Sequence, residues 1–324
     1  MTRTRSLALI GCLALGLGAC GGGADGADSG DSGETIEVTD NTGTQEIPAS
    51  PQSVVATDNR VFETLADWDV ELSAGAVSLM PDSNPYTEDE DIVDLGSHRE
   101  PDLEAIVEAE PDLVINGQRF TDHEDKLKEL APDAAFLNLD PREGEPFDEE
   151  LKRQTEVLGE TFDKEDEATE LNDALDASID RATKAYAKGD TVMAVIVSGG
   201  DMGYVAPGEG RTFGPVFDIM GLEPALEVED SGDDHQGDDV SVEAIAKSNP
   251  DWLLVMDRDA AVAADEEGYT PAKKLIEDSE ALADVTAVTE GNVVYAPEDT
   301  YTNEGIQTYT EFFTSFAEAL EGTN

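Results

Sequence analysis

The chain has 324 residues, enough for two lobes of ordinary size, and a formal charge of −56 from 19 Lys and Arg against 75 Asp and Glu. That excess of acid excludes the clustered basic surface that nucleic acid requires, and it opposes adsorption to anionic lipid. It fits adaptation to high salt, where self-repulsion is screened and an acidic surface maintains solubility.

Residues 1–19 read as a secretion signal. Arg3 and Arg5 supply the positive start, and Leu7 to Leu17 is an apolar run too short to remain as a membrane-spanning helix. The run closes as Leu17-Gly18-Ala19-Cys20, which resembles the bacterial lipobox, in which cleavage precedes a cysteine that is then lipidated. Residues 20–34 are rich in Gly, Asp, Ser and Ala and predict a flexible tether between anchor and body. Of the two cysteines, Cys12 leaves with the signal and Cys20 carries lipid, so no disulfide is expected and the body relies on its core.

The body begins with alternating residues 36–47 around Asn41-Thr42-Gly43, a small hairpin. Ser53 to Thr57 predicts a buried strand, Val61 to Trp68 a helix, and Leu72 to Val77 and Ile92 to Leu95 further strands around a polar loop from Pro81 to Asp91. After a helix near Glu124 to Leu130 and a strand at Ala134 to Leu139, helices are predicted over Phe147 to Leu158 and Glu165 to Lys188. The latter places Ala168, Leu171, Leu175, Ile179, Ala182 and Tyr186 on one face, contains no Gly or Pro, and meets Gly189 as a C-cap. It reads as a rigid connector. Beyond it come a buried strand at Val192 to Val197, a Gly-rich segment from Gly199 to Gly214, a helix at Val216 to Met220 and a loop carrying His235. A strand at Asn292 to Tyr295, a loop carrying Tyr301 and an amphipathic helix from Tyr309 to Leu320 close the chain.

One unit occurs twice. Glu104-Ala105-Ile106, then Pro111-Asp112-Leu113-Val114-Ile115, then Arg119 is matched at a constant offset by Glu243-Ala244-Ile245, Pro250-Asp251-Trp252-Leu253-Leu254-Val255 and Arg258. Each copy reads as a helix closed by proline, a short apolar strand and an arginine just past the strand's end. Open α/β sheets bind ligands outside the carboxyl ends of their strands. Two such lobes would present Arg119 and Arg258 to one cleft, with Arg211 from the Gly-rich segment as a third donor. Arginine's planar, permanently charged fork suits carboxylate, phosphate or an anionic metal chelate. An enzyme is poorly supported. No nucleophile elbow surrounds a serine, and His98, His123 and His235 lack paired ligand spacing. Gly208-Glu209-Gly210 with Gly214 is no phosphate-binding loop, since no Lys-Ser/Thr follows.

These residues carry a resemblance. Leu95-Gly96-Ser97-His98-Arg99-Glu100-Pro101-Asp102, the two Pro-Asp strands leading to Arg119 and Arg258, Gly208 to Gly214, and His235-Gln236-Gly237 occur in the order found in class III substrate-binding lipoproteins of iron–siderophore ABC importers, and the chain is similar to their catecholate and petrobactin-binding group. The resemblance runs from about Thr35 to the C-terminus. It implies an α/β fold of two Rossmann-like lobes joined by a single long helix, with lobes at 35–160 and 190–324 and the connecting helix at 161–189. It implies capture of a ferric siderophore at the outer face of the membrane and delivery to a permease and its ATPase, with no catalysis and no resident cofactor. Receptors for haem, cobalamin or a metal ion on the same fold are the alternative, and an extracellular hydrolase a more distant one. Ligand contacts are implied for Arg119 and Arg258. Arg211 departs from the family pattern, because Thr212 intervenes before Phe213-Gly214. His235 matches an iron-coordinating histidine of some members. Tyr301 matches the accompanying tyrosine only if one residue is deleted after Tyr295; otherwise Thr302 falls there. Imidazole and phenolate are reasonable ferric ligands.

Overall fold

The computed structural model describes residues 34–322 apart from 229–230 and 233–234, so the signal, most of the tether and Cys20 lie outside the described residues. The first part of the chain forms β1 (Thr35–Asp40), β2 (Gly43–Pro48), β3 (Val54–Ala56), α1 (Phe62–Asp67), β4 (Leu72–Gly75), β5 (Val93–Asp94), β6 (Gly96–Ser97), β7 (Glu100–Pro101), α2 (Ala105–Ala109), β8 (Leu113–Asn116), α3 (Glu124–Leu130) and β9 (Ala135–Asn138). Two long helices follow, α4 (Phe147–Phe162) and α5 (Glu165–Ala185). The rest comprises β10 (Thr191–Ser198), β11 (Asp201–Val205), α6 (Gly214–Met220), β12 (Glu223–Pro224), α7 (Val242–Ser248), β13 (Trp252–Asp257), α8 (Arg258–Val262), α9 (Ala272–Glu277), α10 (Thr286–Glu290), β14 (Val293–Tyr295) and α11 (Ile306–Gly322).

Two five-stranded sheets result. The first runs β5-β4-β3-β8-β9, all parallel. The second runs β11-β10-β13-β14, with β12 also on β10; its strands are parallel except β11, which returns antiparallel from β10 through Gly199-Gly200. The near-continuous apolar runs of β10 and β13 follow from burial on both faces. Val192, Ala194 and Ile196 share one core with Trp252, Leu254 and Met256, whereas Met193, Val195 and Val197 share another with Leu253 and Val255. The Gly-rich segment therefore contains a strand, β11, that its glycines conceal in the sequence.

The repeated unit is the same structure twice. α2 and α7 each end on a left-handed residue directly before proline, Glu110 (φ 42°) and Asn249 (φ 50°). The aspartate after each proline then caps a neighbouring strand. Asp112 accepts from the Gln52 and Ser53 N–H groups at 2.8 and 3.1 Å, and Asp251 accepts from the Thr191 N–H at 2.7 Å. This registers β8 beside β3 and β13 beside β10, so the two arginines leave equivalent strand ends.

The long helices bridge the two sheets. Val157, Leu158 and Ala168 lie in the core of the first sheet, while Leu151, Leu175 and Ala182 lie in that of the second. Helix α5 stops at Ala185, short of the expected Lys188. Tyr186 turns extended, so Gly189 does not cap it, and the Tyr186 hydroxyl bonds to the Asp190 carbonyl. α11 lies along α5 through Phe312, Phe313, Phe316 and Leu320, and Arg181 of α5 clasps Glu321 with bonds of 2.9 and 2.7 Å.

Candidate functional site

The strand ends of the first sheet build one wall of a cleft. After β3 the chain passes through Asp58, fully buried, whose carboxylate accepts from the Arg60 N–H at 2.9 Å and from Gln154 at 3.1 Å. After β8 it passes through Gly117, where a β-carbon would lie 2.5 Å from Asp58 Oδ2 and 3.0 Å from Asp140 Oδ1; only glycine fits between those carboxylates. Gln118 is left-handed (φ 48°) and is held by its N–H bond to Asp140 at 2.7 Å. That turn aims Arg119 across the cleft, where Nη2 donates to the Tyr301 carbonyl at 2.9 Å.

The second sheet supplies the opposite wall. Asp257 ends β13 and caps α8 by accepting from the Ala260 N–H at 3.1 Å; it also takes the Tyr269 hydroxyl at 3.0 Å and the Ala272 N–H at 2.7 Å. So anchored, Arg258 reaches Ser198 and Asp259, each at 3.3 Å. Arg211 sits beside the extra residue Thr212, which adopts φ 62°. The Phe213 N–H bonds back to the Arg211 carbonyl at 2.7 Å, closing a three-residue turn that absorbs the insertion. Arg211 therefore still faces the cleft.

The three guanidinium groups converge on one ring. The Cζ atoms of Arg119, Arg211 and Arg258 lie 4.8, 4.5 and 4.7 Å from the centroid of Tyr301, which is 4 % exposed. Thr302 faces away, its hydroxyl bonded to the Asp299 carbonyl and its carbonyl accepting from Asn59. His235 meets the same ring edge-on at 6.4 Å between centroids and touches Arg211 Nη1 through Nδ1. Burial pushes the Tyr301 phenol up, but a hydrogen bond from Arg258 and the charges of all three arginines outweigh it, and its pKa falls below the ordinary value. For Arg119, burial and then the neighbouring Arg211 lower its pKa. The Nε atoms of Arg119 and Arg258 are buried and have no hydrogen-bond partner among the described residues. Such donors are incompletely used by the protein itself.

A cavity of about 500 Å3 opens beside this cage, lined by Arg60, Gln118, Arg119, Arg211, His235 and Glu304 among others. A second of about 600 Å3 reaches Arg258, Ser198 and Gln236. Both are of a size that holds a small organic ligand. The structure thus brings together all five residues singled out in the sequence for this cleft. His98 lines it too, but its carbonyl takes the His123 ring, and among the described residues no group of three His, Cys, Asp or Glu is placed to hold a metal ion. Sequence reasoning missed Arg60 and Glu304. Arg60 follows the end of β3 just as Arg119 follows β8, so the same strand-end rule identifies it. Glu304 is one of 75 acids, and nothing local marks it.

Known proteins share this fold. The chain is 29 % identical over 286 residues to the petrobactin-binding protein YclQ of Bacillus subtilis, covering 87 % of this chain and 86 % of that one. It is 29 % identical over 229 residues, 70 % of each chain, to the ferric-anguibactin-binding protein FatB of Vibrio anguillarum. The crystal structure of YclQ superposes with a TM-score of 0.74 at 26 % identity, covering 89 % of this chain and 99 % of that one. A TroA-like periplasmic binding protein from Xylanimonas cellulosilytica does so with a TM-score of 0.72 at 27 % identity over 88 % and 98 %. The profile of periplasmic binding proteins matches residues 54–300, from the first strand of one sheet to the residue before Tyr301, and the chain belongs to that family.

Proposed function

We propose that this protein is a lipid-anchored, extracytoplasmic receptor that captures a ferric siderophore of catecholate type and delivers it to an ABC permease and its ATPase. The observation that carries the reading is the convergence of Arg119, Arg211 and Arg258, drawn from both sheets, on one buried ring beside a cavity of suitable size. Catecholate oxygens of an anionic chelate would take the guanidinium donors that the protein leaves unused. Similarity to petrobactin- and anguibactin-binding proteins supports the same cargo. The protein performs no chemistry on it and carries no resident cofactor in this reading; iron arrives within the ligand. Where a tetradentate siderophore leaves two iron positions open, His235 and Tyr301 supply imidazole and phenolate, and the lowered phenol pKa favours the ferric-binding form.

The test is titration of the receptor with ferric catecholates, followed by quenching of its tryptophan fluorescence, with haem and cobalamin as comparison ligands. Arg119→Ala and Arg258→Ala should each lose roughly ten- to a hundred-fold in affinity, the worth of one charge-assisted hydrogen bond. Lysine at either position should restore only part, because a point charge does not replace the fork. Near-wild-type affinity in both alanine variants would sink the anionic-cleft reading.

A further inference from the structure

Glu304 is an anionic side chain inside a site built for an anion. It is 6 % exposed and stands in the loop between β14 and α11, three residues beyond Tyr301. Four donors from both walls converge on its carboxylate. Arg211 grips it twice, Nη2 to Oε2 at 2.6 Å and Nε to Oε1 at 3.2 Å. The Thr212 hydroxyl donates to Oε1 at 2.6 Å, and Gln118 Nε2 donates to Oε2 at 2.7 Å. Burial alone would raise its pKa, but Arg211, Arg60 and these hydrogen bonds bring it below the ordinary carboxylate value, so Glu304 is charged near neutrality.

The three arginines are consequently unequal. Arg119 keeps a buried, unused Nε, and so does Arg258, whereas the Nε–Nη2 edge of Arg211 is engaged by the protein's own carboxylate and its Nη1 meets His235. The residue that makes this possible is Thr212. It holds a left-handed conformation that a β-branched side chain rarely adopts, and it donates its hydroxyl to Glu304. Observed strain of this kind, fixed by a hydrogen bond within a cleft, points to a role for the bond it secures.

We propose that Glu304 selects cargo by charge: acting as an internal counter-ion to Arg211, it makes the cleft favour a ferric chelate of low negative charge over a trianionic one. The inference rests on the siderophore reading above and refines its ligand class. A ferric tris-catecholate is trianionic, whereas the ferric complex of a tetradentate bis-catecholate is monoanionic. Glu304 repels the first more strongly, and in a partly desolvated cleft that repulsion is not fully screened. A monoanionic, tetradentate complex is also the one whose iron has places for His235 and Tyr301. The two features of the cleft thus choose the same ligand.

The experiment compares wild type with Glu304→Gln in the full chain. Glutamine keeps the shape and an acceptor for Thr212 but removes the charge. Affinities for the ferric tris-catecholate and for the ferric bis-catecholate are measured at one salt concentration. Glu304→Gln should shift the ratio of the two affinities towards the tris-catecholate by about ten-fold or more. A purely structural role, tying Gln118 to Arg211 across the cleft, would change both affinities together, and an unchanged ratio overturns the proposal. Inorganic pyrophosphate supplies an iron-free readout. Released Arg211 should let Glu304→Gln bind it with a rise in Tm larger than that of wild type or of Glu304→Gln/Arg211→Gln. Pyrophosphate binding without any ferric binding in wild type would uphold the counter-ion and refute the cargo. Tight ferric binding in wild type, with no gain for pyrophosphate in Glu304→Gln, would refute the counter-ion and leave the cargo standing.

Discussion

Truncating Tyr301 in two steps separates what its oxygen and its ring contribute. Tyr301→Phe removes the phenol that accepts from Arg258 but leaves the ring among three guanidinium groups. A hydrogen bond to a charged group contributes about 1.5–3 kcal/mol, and Arg258 keeps some contact with water, so the loss should lie near 1–2 kcal/mol. Tyr301→Ala removes the ring as well. Three cation–π contacts at about 1 kcal/mol each, together with the cavity left by a buried ring, bring the expected loss to roughly 4–5 kcal/mol. Urea unfolding followed by tryptophan fluorescence, with Trp68 and Trp252 as reporters, measures both. The phenol's pKa lies below 10.0 in the folded state, so the wild type should gain stability relative to Tyr301→Phe as pH rises towards 10. Equal losses in the two variants, or a loss below about 1 kcal/mol in Tyr301→Ala, would refute the cage as a source of stability.

Burial, partly offset by Arg60 and reinforced by Asp140, raises the pKa of Asp58 from 3.8 to about 6. Between those values the folded chain binds more protons than the unfolded one, so this group lowers stability as pH rises through that window, by on the order of 2–3 kcal/mol. Asp58→Asn should flatten that part of the Tm–pH curve, and parallel curves for the two proteins would contradict the assignment. The charge of −56 should make Tm climb with added salt up to molar concentrations, because the Debye length shrinks from about 30 Å at 0.01 M to about 3 Å at 1 M; a flat curve would remove the argument for adaptation to salt. Cys20→Ala should abolish lipidation and release the protein from membranes on fractionation, and a variant that stays with the membrane would discard the anchor.

Much of the fold was legible because its signals are local. Alternating burial exposes the β1–β2 hairpin, and doubly buried strands expose β10 and β13 as apolar runs. The duplicated Pro-Asp unit also fixes where Arg119 and Arg258 emerge, since each aspartate ties its strand to a neighbour. What stayed hidden depends on distant partners. β11 is short and flanked by glycines, and its pairing with β10 is a tertiary fact. Thr212 put Arg211 off the family pattern, because sequence does not show that a turn closed between Arg211 and Phe213 absorbs one residue. Tyr301 could not be aligned without a gap; its ring lies among the three arginines, while the Thr302 hydroxyl bonds to the Asp299 carbonyl. Glu304 gains its meaning from Arg211, Thr212 and Gln118, all remote in the chain.

The cage lies within a protein whose net charge is −56, and this governs how an anion arrives. At low salt the approaching chelate climbs a repulsive potential for many ångströms and meets attraction only in the last few, once the arginines are nearer than the acidic shell. Raising the ionic strength erases the long climb and spares most of the short, poorly hydrated contact. Encounter should therefore quicken with salt while escape stays nearly constant, the reverse of the usual behaviour of charged partners, whose salt dependence comes from the loss of steering. An anionic ligand should therefore reach the cage fastest at high ionic strength.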